Sequence, residues 1–198
     1  MTKHSKSNPI YELLRKSNEY INSLFKDPQK FLLTLIGILF ILLIAIKFKP
    51  VFITIFLIGL GAFSMIYIRF VNFSHYIGFE LCTLSTVLAS LAYGPGVGAF
   101  TGFTTLIFAF ALSGYFRPKY FISVLVLPLI GLLTPFLSHM ELWQIGLIVT
   151  VLYDLIILPL YVLMGSRIIS TIVFFITHVL INYWVFSTFG EFIYRIIT

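Results

Sequence analysis

From about residue 30 the polar positions become so sparse that they act as punctuation. Apolar runs at about 30–46, 51–69, 76–93, 95–113, 119–138, 143–164 and 168–188 are separated by "KFKP", "RFVNFSH", a glycine-rich stretch, "GYFRPKY", "SHMEL" and "MGSRI". Each run approaches the roughly 20 residues that an α-helix needs to cross a hydrocarbon core about 30 Å thick. The pattern predicts an all-α, polytopic transmembrane helix bundle with six or seven spans, because "KFKP" or the glycine stretch can join helices that do not each cross fully. Residues 30–198 form one transmembrane helical domain in this reading.

Residues 1–29 follow a different rule. In "SNPIYELLRKSNEYINSLFKDPQK" Ile10, Leu13, Leu14, Ile21, Leu24 and Phe25 recur at helical spacing, with Asn8 as cap and Pro9 in the first turn. This predicts an amphipathic helix lying in the membrane interface as an anchor, with partner binding as its alternative role. Asp27 followed by Pro28 starts the next helix. The polar leader, with "KFKP" rather than small residues after the first apolar run, does not read as a cleavable signal.

Composition agrees with the periodicity. Of 198 residues 60% are hydrophobic and only 10% are Asp, Glu, Lys or Arg, whereas a soluble domain carries about 25% charged residues. The net charge of +6 sits at the N-terminus and in short connections, the footprint of topology and lipid headgroups rather than nucleic acid. Seven crossings with a cytoplasmic N-terminus, the arrangement expected in a cell membrane, would place Arg69, Arg117, Lys119 and Arg167 in the cytoplasm and Glu141 outside, with Lys47 and Lys49 dissenting. Six crossings would return the C-terminus to the cytoplasm. Cys82 is the only cysteine, so an intrachain disulfide and a four-thiolate metal site are excluded.

Few residues remain to carry chemistry. A charged group at the bilayer centre costs about 2.5–3.5 kcal/mol on insertion scales, so Glu80 in "IGFELCTL" and Asp154 in "VLYDLIILPL" are substrate-binding candidates. So are His178 and Asn182, four apart on one face of the last helix. The bland alternatives are a carboxylate at Glu80 that snorkels or caps, a neutral, hydrogen-bonded packing role for Asp154, and interhelical hydrogen bonding for His178 and Asn182. No nucleophile elbow, phosphate loop or zinc-protease motif occurs, which argues against an enzyme, and no metal or cofactor is expected. Pro128, Pro135 and Pro159 interrupt helices, as in many transport sites and many ordinary bundles.

The glycine stretch "AYGPGVGAFTG" starts a helix at Pro95 and puts Gly94, Gly98 and Gly102 at intervals of four. Such a face lets another backbone approach closely, either inside the bundle or on a partner. The wider stretch "FELCTLSTVLASLAYGPGVGAFTGFTTLIFAF" resembles the substrate-binding membrane components (S components) of energy-coupling factor transporters, with Gly94, Pro95 and Gly98 on that family's turn and Gly102 on its small-residue face. The resemblance implies a helical bundle that captures a vitamin or other micronutrient and works with a membrane coupling subunit and two cytoplasmic ATPases. The alanine pair that many members carry in the first helix is not present: Gly37 and Ala45 are not four apart. The same hairpin also resembles, less closely, the MreD family of cell-shape membrane proteins, which implies a non-catalytic scaffold whose glycine face and N-terminal helix bind partner proteins.

Overall fold

In the computed structural model the described residues are 12, 15 and 27–198 except 72, 115 and 116; the side chains of residues 45 and 75 are not described. The expected N-terminal amphipathic helix lies outside them apart from Glu12 and Arg15, both helical. The chain divides into two compact units, Met1–Lys49 and Pro50–Thr198.

The first unit contributes helix α1, Pro28–Lys47. Asp27 caps it by accepting from the backbone N–H of Gln29 (3.0 Å) and Lys30 (3.3 Å). The hydrogen bond from Lys30 N lowers the Asp27 carboxyl below its ordinary range. The side chains of α1 are apolar on nearly every face and mostly exposed, as suits a helix whose solvent is lipid.

Helix α2, Lys49–Ser64, carries the chain into the second unit, followed by α3 (Cys82–Tyr93), α4 (Pro95–Ser113), α5 (Phe121–Leu133), α6 (Leu142–Leu163), α7 (Ile168–Val185) and α8 (Glu191–Ile197). With their 3-10 and π extensions, five stretches among the described residues are long and apolar enough to cross a membrane: Lys49–Arg69, Pro95–Ser113, Pro118–Leu137, Leu142–Leu163 and Ile168–Ile197. This is the make-up of a polytopic membrane protein.

The expected run at 76–93 is not one helix. Residues 77–81 are non-helical and α3 spans only 82–93, so Glu80 lies ahead of its helix rather than a turn inside it. Helix α3 is also the most enclosed element, buried continuously from Cys82 to Ser90. Short, central and covered by α2, α4, α5 and α6, it does not need the length of a lipid-facing span.

Tight packing around α3 rests on glycine. A Cβ on Gly98 would collide with Ser90, one on Gly102 would press on Thr86 and Leu127, and one on Gly131 would come within 2.6 Å of the backbone of Gly98 and Ala99. Ser90 closes this seam by donating its hydroxyl to the Gly131 carbonyl at 2.5 Å. Gly94 does something else. Nothing lies within 4 Å of the space its Cβ would fill, but its φ of +95° turns the chain between α3 and α4, and Pro95 occupies the first turn of α4, where no N–H is needed.

Two prolines sit within helices, Pro128 in α5 and Pro159 in α6, while Pro135 begins a 3-10 turn after α5. Past Val185 the last helix continues through a π turn, Phe186–Gly190, into α8. Phe186 lies against Gly146 of α6, where a Cβ would collide with its ring. The extra residue of a π turn is a local device for reaching such a contact without ending the helix.

Candidate functional site

The non-helical run at 77–81 reaches the level of His178, ten residues into the last helix. Backbone groups at such depth must be satisfied within the protein, because lipid offers no partner. Side chains from two helices do this. Tyr67 donates its hydroxyl to the Ile77 carbonyl (2.9 Å), and Ser64 accepts from the Leu81 N–H (2.9 Å). Thr177 accepts from the Gly78 N–H at 3.0 Å and lies 2.9 Å from the Tyr76 carbonyl. Sequence reasoning passed over Tyr67, Gly78 and Thr177. The signal was present in Gly78, two residues before a buried carboxylate, and in Thr177, beside the only histidine deep in a span.

Three of the four sequence candidates meet. His178 Nδ1 lies 2.9 Å from both Asp154 oxygens, and its Nε2 lies 3.1 Å from Glu80 Oε1. Asp154 is 0% exposed, His178 1% and Glu80 9%. The imidazole is thus a bridge between a sealed carboxylate on α6 and a partly accessible one ahead of α3. Both bonds form together when the ring carries two protons, or when one carboxyl group holds a proton of its own. Glu80 also accepts from the Thr83 N–H at 2.9 Å, which serves an otherwise unpaired donor in the first turn of α3.

Asn182 stands apart. Its amide donates to the His178 carbonyl within the same helix at 3.1 Å, and its buried Oδ1 has no hydrogen-bond partner among the described residues. Of the glycine-stretch residues, Gly98 and Gly102 face α3 and α5, as described above.

A cavity of about 420 Å³ begins at this bridge. Glu80 and His178 line its inner end, while Asp154 lies behind them outside the lining. Its wall is aromatic: Phe110 stacks on Tyr120 at 5.2 Å, and Tyr120 meets Tyr161 edge-on at 5.5 Å. The hydroxyls of Tyr161 and Ser123 are hydrogen-bonded to each other. At the other end are Arg117, Lys119 and Arg167, from the connections before α5 and α7. Lys119 Nζ donates to Ser166 Oγ at 2.7 Å and lies 5.4 and 5.8 Å from the ring centroids of Tyr120 and Tyr161, within cation–π range.

Each His178 nitrogen faces a carboxylate. Among the described residues no group of three His, Cys, Asp or Glu is arranged to hold a metal ion. An apolar, aromatic cavity with a few convergent polar groups is the usual form of a small-molecule site. Comparison with protein-family models, with curated proteins and with solved structures finds no match.

Proposed function

We propose that this chain is the substrate-capturing subunit of a membrane uptake system for a micronutrient-sized molecule, non-enzymatic itself and driven by separate coupling and ATPase subunits. The observation that carries this is the cavity ending on the buried Glu80–His178–Asp154 bridge. Three ionisable groups at the middle of an apolar bundle are expensive to retain. Packing alone does not need them: an apolar trio of similar volume would serve at lower cost.

The scaffold reading relies on the glycine face and the N-terminal helix as docking surfaces. Gly98 and Gly102 are occupied by Ser90, Thr86, Leu127 and Gly131 of the same chain, which leaves that reading to rest on the N-terminal helix, outside the described residues.

The capture reading is tested by purifying the protein from its native membrane and identifying small molecules that accompany it by mass spectrometry. A ligand should accompany the wild type and be lost from Glu80→Gln and His178→Ala. A ligand at 100 times its dissociation constant adds about 2.7 kcal/mol of stability, an easily measured rise in melting temperature. The absence of both a co-purifying molecule and a thermal shift across a micronutrient panel would overturn the proposal.

A further inference from the structure

The cavity has opposite charge at its two ends. Among its described lining residues Glu80 is the only carboxylate and sits at the inner end, whereas Arg117, Lys119 and Arg167 gather at the outer one. The inner end is not self-sufficient. With an imidazolium between them, the two carboxylates of the bridge still carry one uncompensated negative charge, which is costly in a low-dielectric interior unless a cation or proton joins it. Glu80 has capacity for that. Its Oε2 accepts from the Thr83 N–H at 2.9 Å, and a carboxylate oxygen takes about two donors.

At the outer end the charges are of the kind that recognise anions. The guanidinium group is of a shape suited to a phosphate or carboxylate, Arg117 and Arg167 both line this end, and Lys119 is held in place by Ser166 and two tyrosine rings. Between the ends, the Phe110–Tyr120–Tyr161 wall offers flat faces to an apolar or aromatic body.

We infer that the cavity takes a two-ended ligand, with an anionic group of phosphate type held by Arg117, Lys119 and Arg167 and an ammonium group held by Glu80, joined by a flat or apolar body. The inference rests on the capture reading and names the substrate class of the same site. The same pair of charged groups occurs in a free amphipathic phosphate-amine and, joined by only two carbons and without the flat body, in a phosphoethanolamine headgroup, so the test must separate these sources.

The full chain in neutral detergent is titrated calorimetrically with O-phosphotyramine, which has a phosphate and an amine at opposite ends of one ring. Tyramine and phenyl phosphate serve as single-ended controls. O-phosphotyramine should bind at least tenfold more tightly than either control. Arg117→Gln and Arg167→Gln, both at exposed positions, should each lose at least tenfold for O-phosphotyramine while leaving tyramine unchanged. Glu80→Gln should reduce O-phosphotyramine and tyramine but spare phenyl phosphate, a pattern that simple unfolding cannot give. Repeating the titration in phosphatidylcholine nanodiscs with and without phosphatidylethanolamine separates the sources: tenfold competition identifies the headgroup, and unchanged affinity identifies a free ligand.

Equal affinity for all three probes, or variants that weaken all three alike, would overturn the two-ended ligand. A co-purified native ligand lacking either charged group would overturn it too, while leaving the capture reading intact. No native ligand together with no probe binding would remove both.

Discussion

The backbone of Gly78 lies directly on that of His178: a Cβ at Gly78 would overlap the N, Cα and Cβ atoms of His178. This contact lets the 77–81 run lie close against α7, two residues before Glu80 reaches the imidazole. Gly78→Ala should therefore push the run outward and open the 3.1 Å Glu80–His178 bond. Overpacking of this kind typically costs about 1–3 kcal/mol. The expected result is a lower melting temperature together with at least tenfold weaker ligand retention. Thr177→Val, which removes the hydroxyl serving Gly78 N and Tyr76 O, should act in the same direction. If Gly78→Ala retains both stability and ligand, the close approach does not position the site.

The bridge itself should behave as a unit. His178→Ala leaves two buried carboxylates without their shared donor, and breaking a buried pair costs about 3–5 kcal/mol in soluble proteins. Asp154→Ala removes one of those carboxylates, so the double variant should lose less than the sum of the two single ones. A coupling above about 1.5 kcal/mol, measured by denaturant unfolding in detergent, is expected. Ordinary interhelical hydrogen bonds in membranes couple by about 0.6 kcal/mol on average. A value near that would reduce Asp154–His178 to helix-to-helix adhesive.

How much of this was legible in the sequence depends on the range of each interaction. Asp154 and His178 stand out in one dimension because an ionisable residue in an apolar run is conspicuous, and the spacing that puts His178 and Asn182 on one face is local. Their roles are not local. His178 contacts Glu80 across 98 positions, whereas Asn182 turns to its own helix, and no periodicity distinguishes the two cases. Continuous apolar character at 76–93 concealed the switch from extended backbone to helix. An extended run whose backbone is served by Tyr67, Ser64 and Thr177 needs no polar residues of its own, so it has the composition of a span. The cavity was equally hidden, because Phe110, Tyr120 and Tyr161 have the same composition whether they face lipid or line a site.

The glycine seam gives a contrast within a single helix. Gly98 faces Ser90 and the backbone at Gly131, while nothing lies within 4 Å of the space that a Cβ on Gly96 would enter. Gly98→Val should lower the melting temperature of the isolated protein by several degrees, as expected for a clash costing about 1–3 kcal/mol or more. Gly96→Val should stay close to the wild type, within the roughly 0.5 kcal/mol usual at open positions. If Gly98→Val leaves the isolated protein intact and instead abolishes association with another membrane subunit, the face serves a partner and not the bundle.

The direction of capture turns on which end of the bundle faces the cytoplasm. Ser64 meets Leu81 near the inner end of the cavity, and Met65 and Ile68 line it, so α2 runs from Pro50 at the far end toward the mouth. Tyr93, at the end of α3, donates its hydroxyl to the Ile197 carbonyl at the end of α8, which puts the α3–α4 turn and the C-terminus together at the end opposite Arg167. The second unit therefore begins and ends on the same side, away from the mouth. Charge within the second unit supports either orientation: Arg69, Arg117, Lys119 and Arg167 pull the mouth inward, while Arg195 pulls the opposite end inward. Capture from outside requires the second outcome. In a Cys82→Ala background, Met164→Cys beside the mouth should react with a membrane-impermeant maleimide on intact cells, and Thr198→Cys only after permeabilisation. The reverse labelling would place the mouth in the cytoplasm and rule out capture from outside, because Glu80 and His178 would then be reached from within the cell.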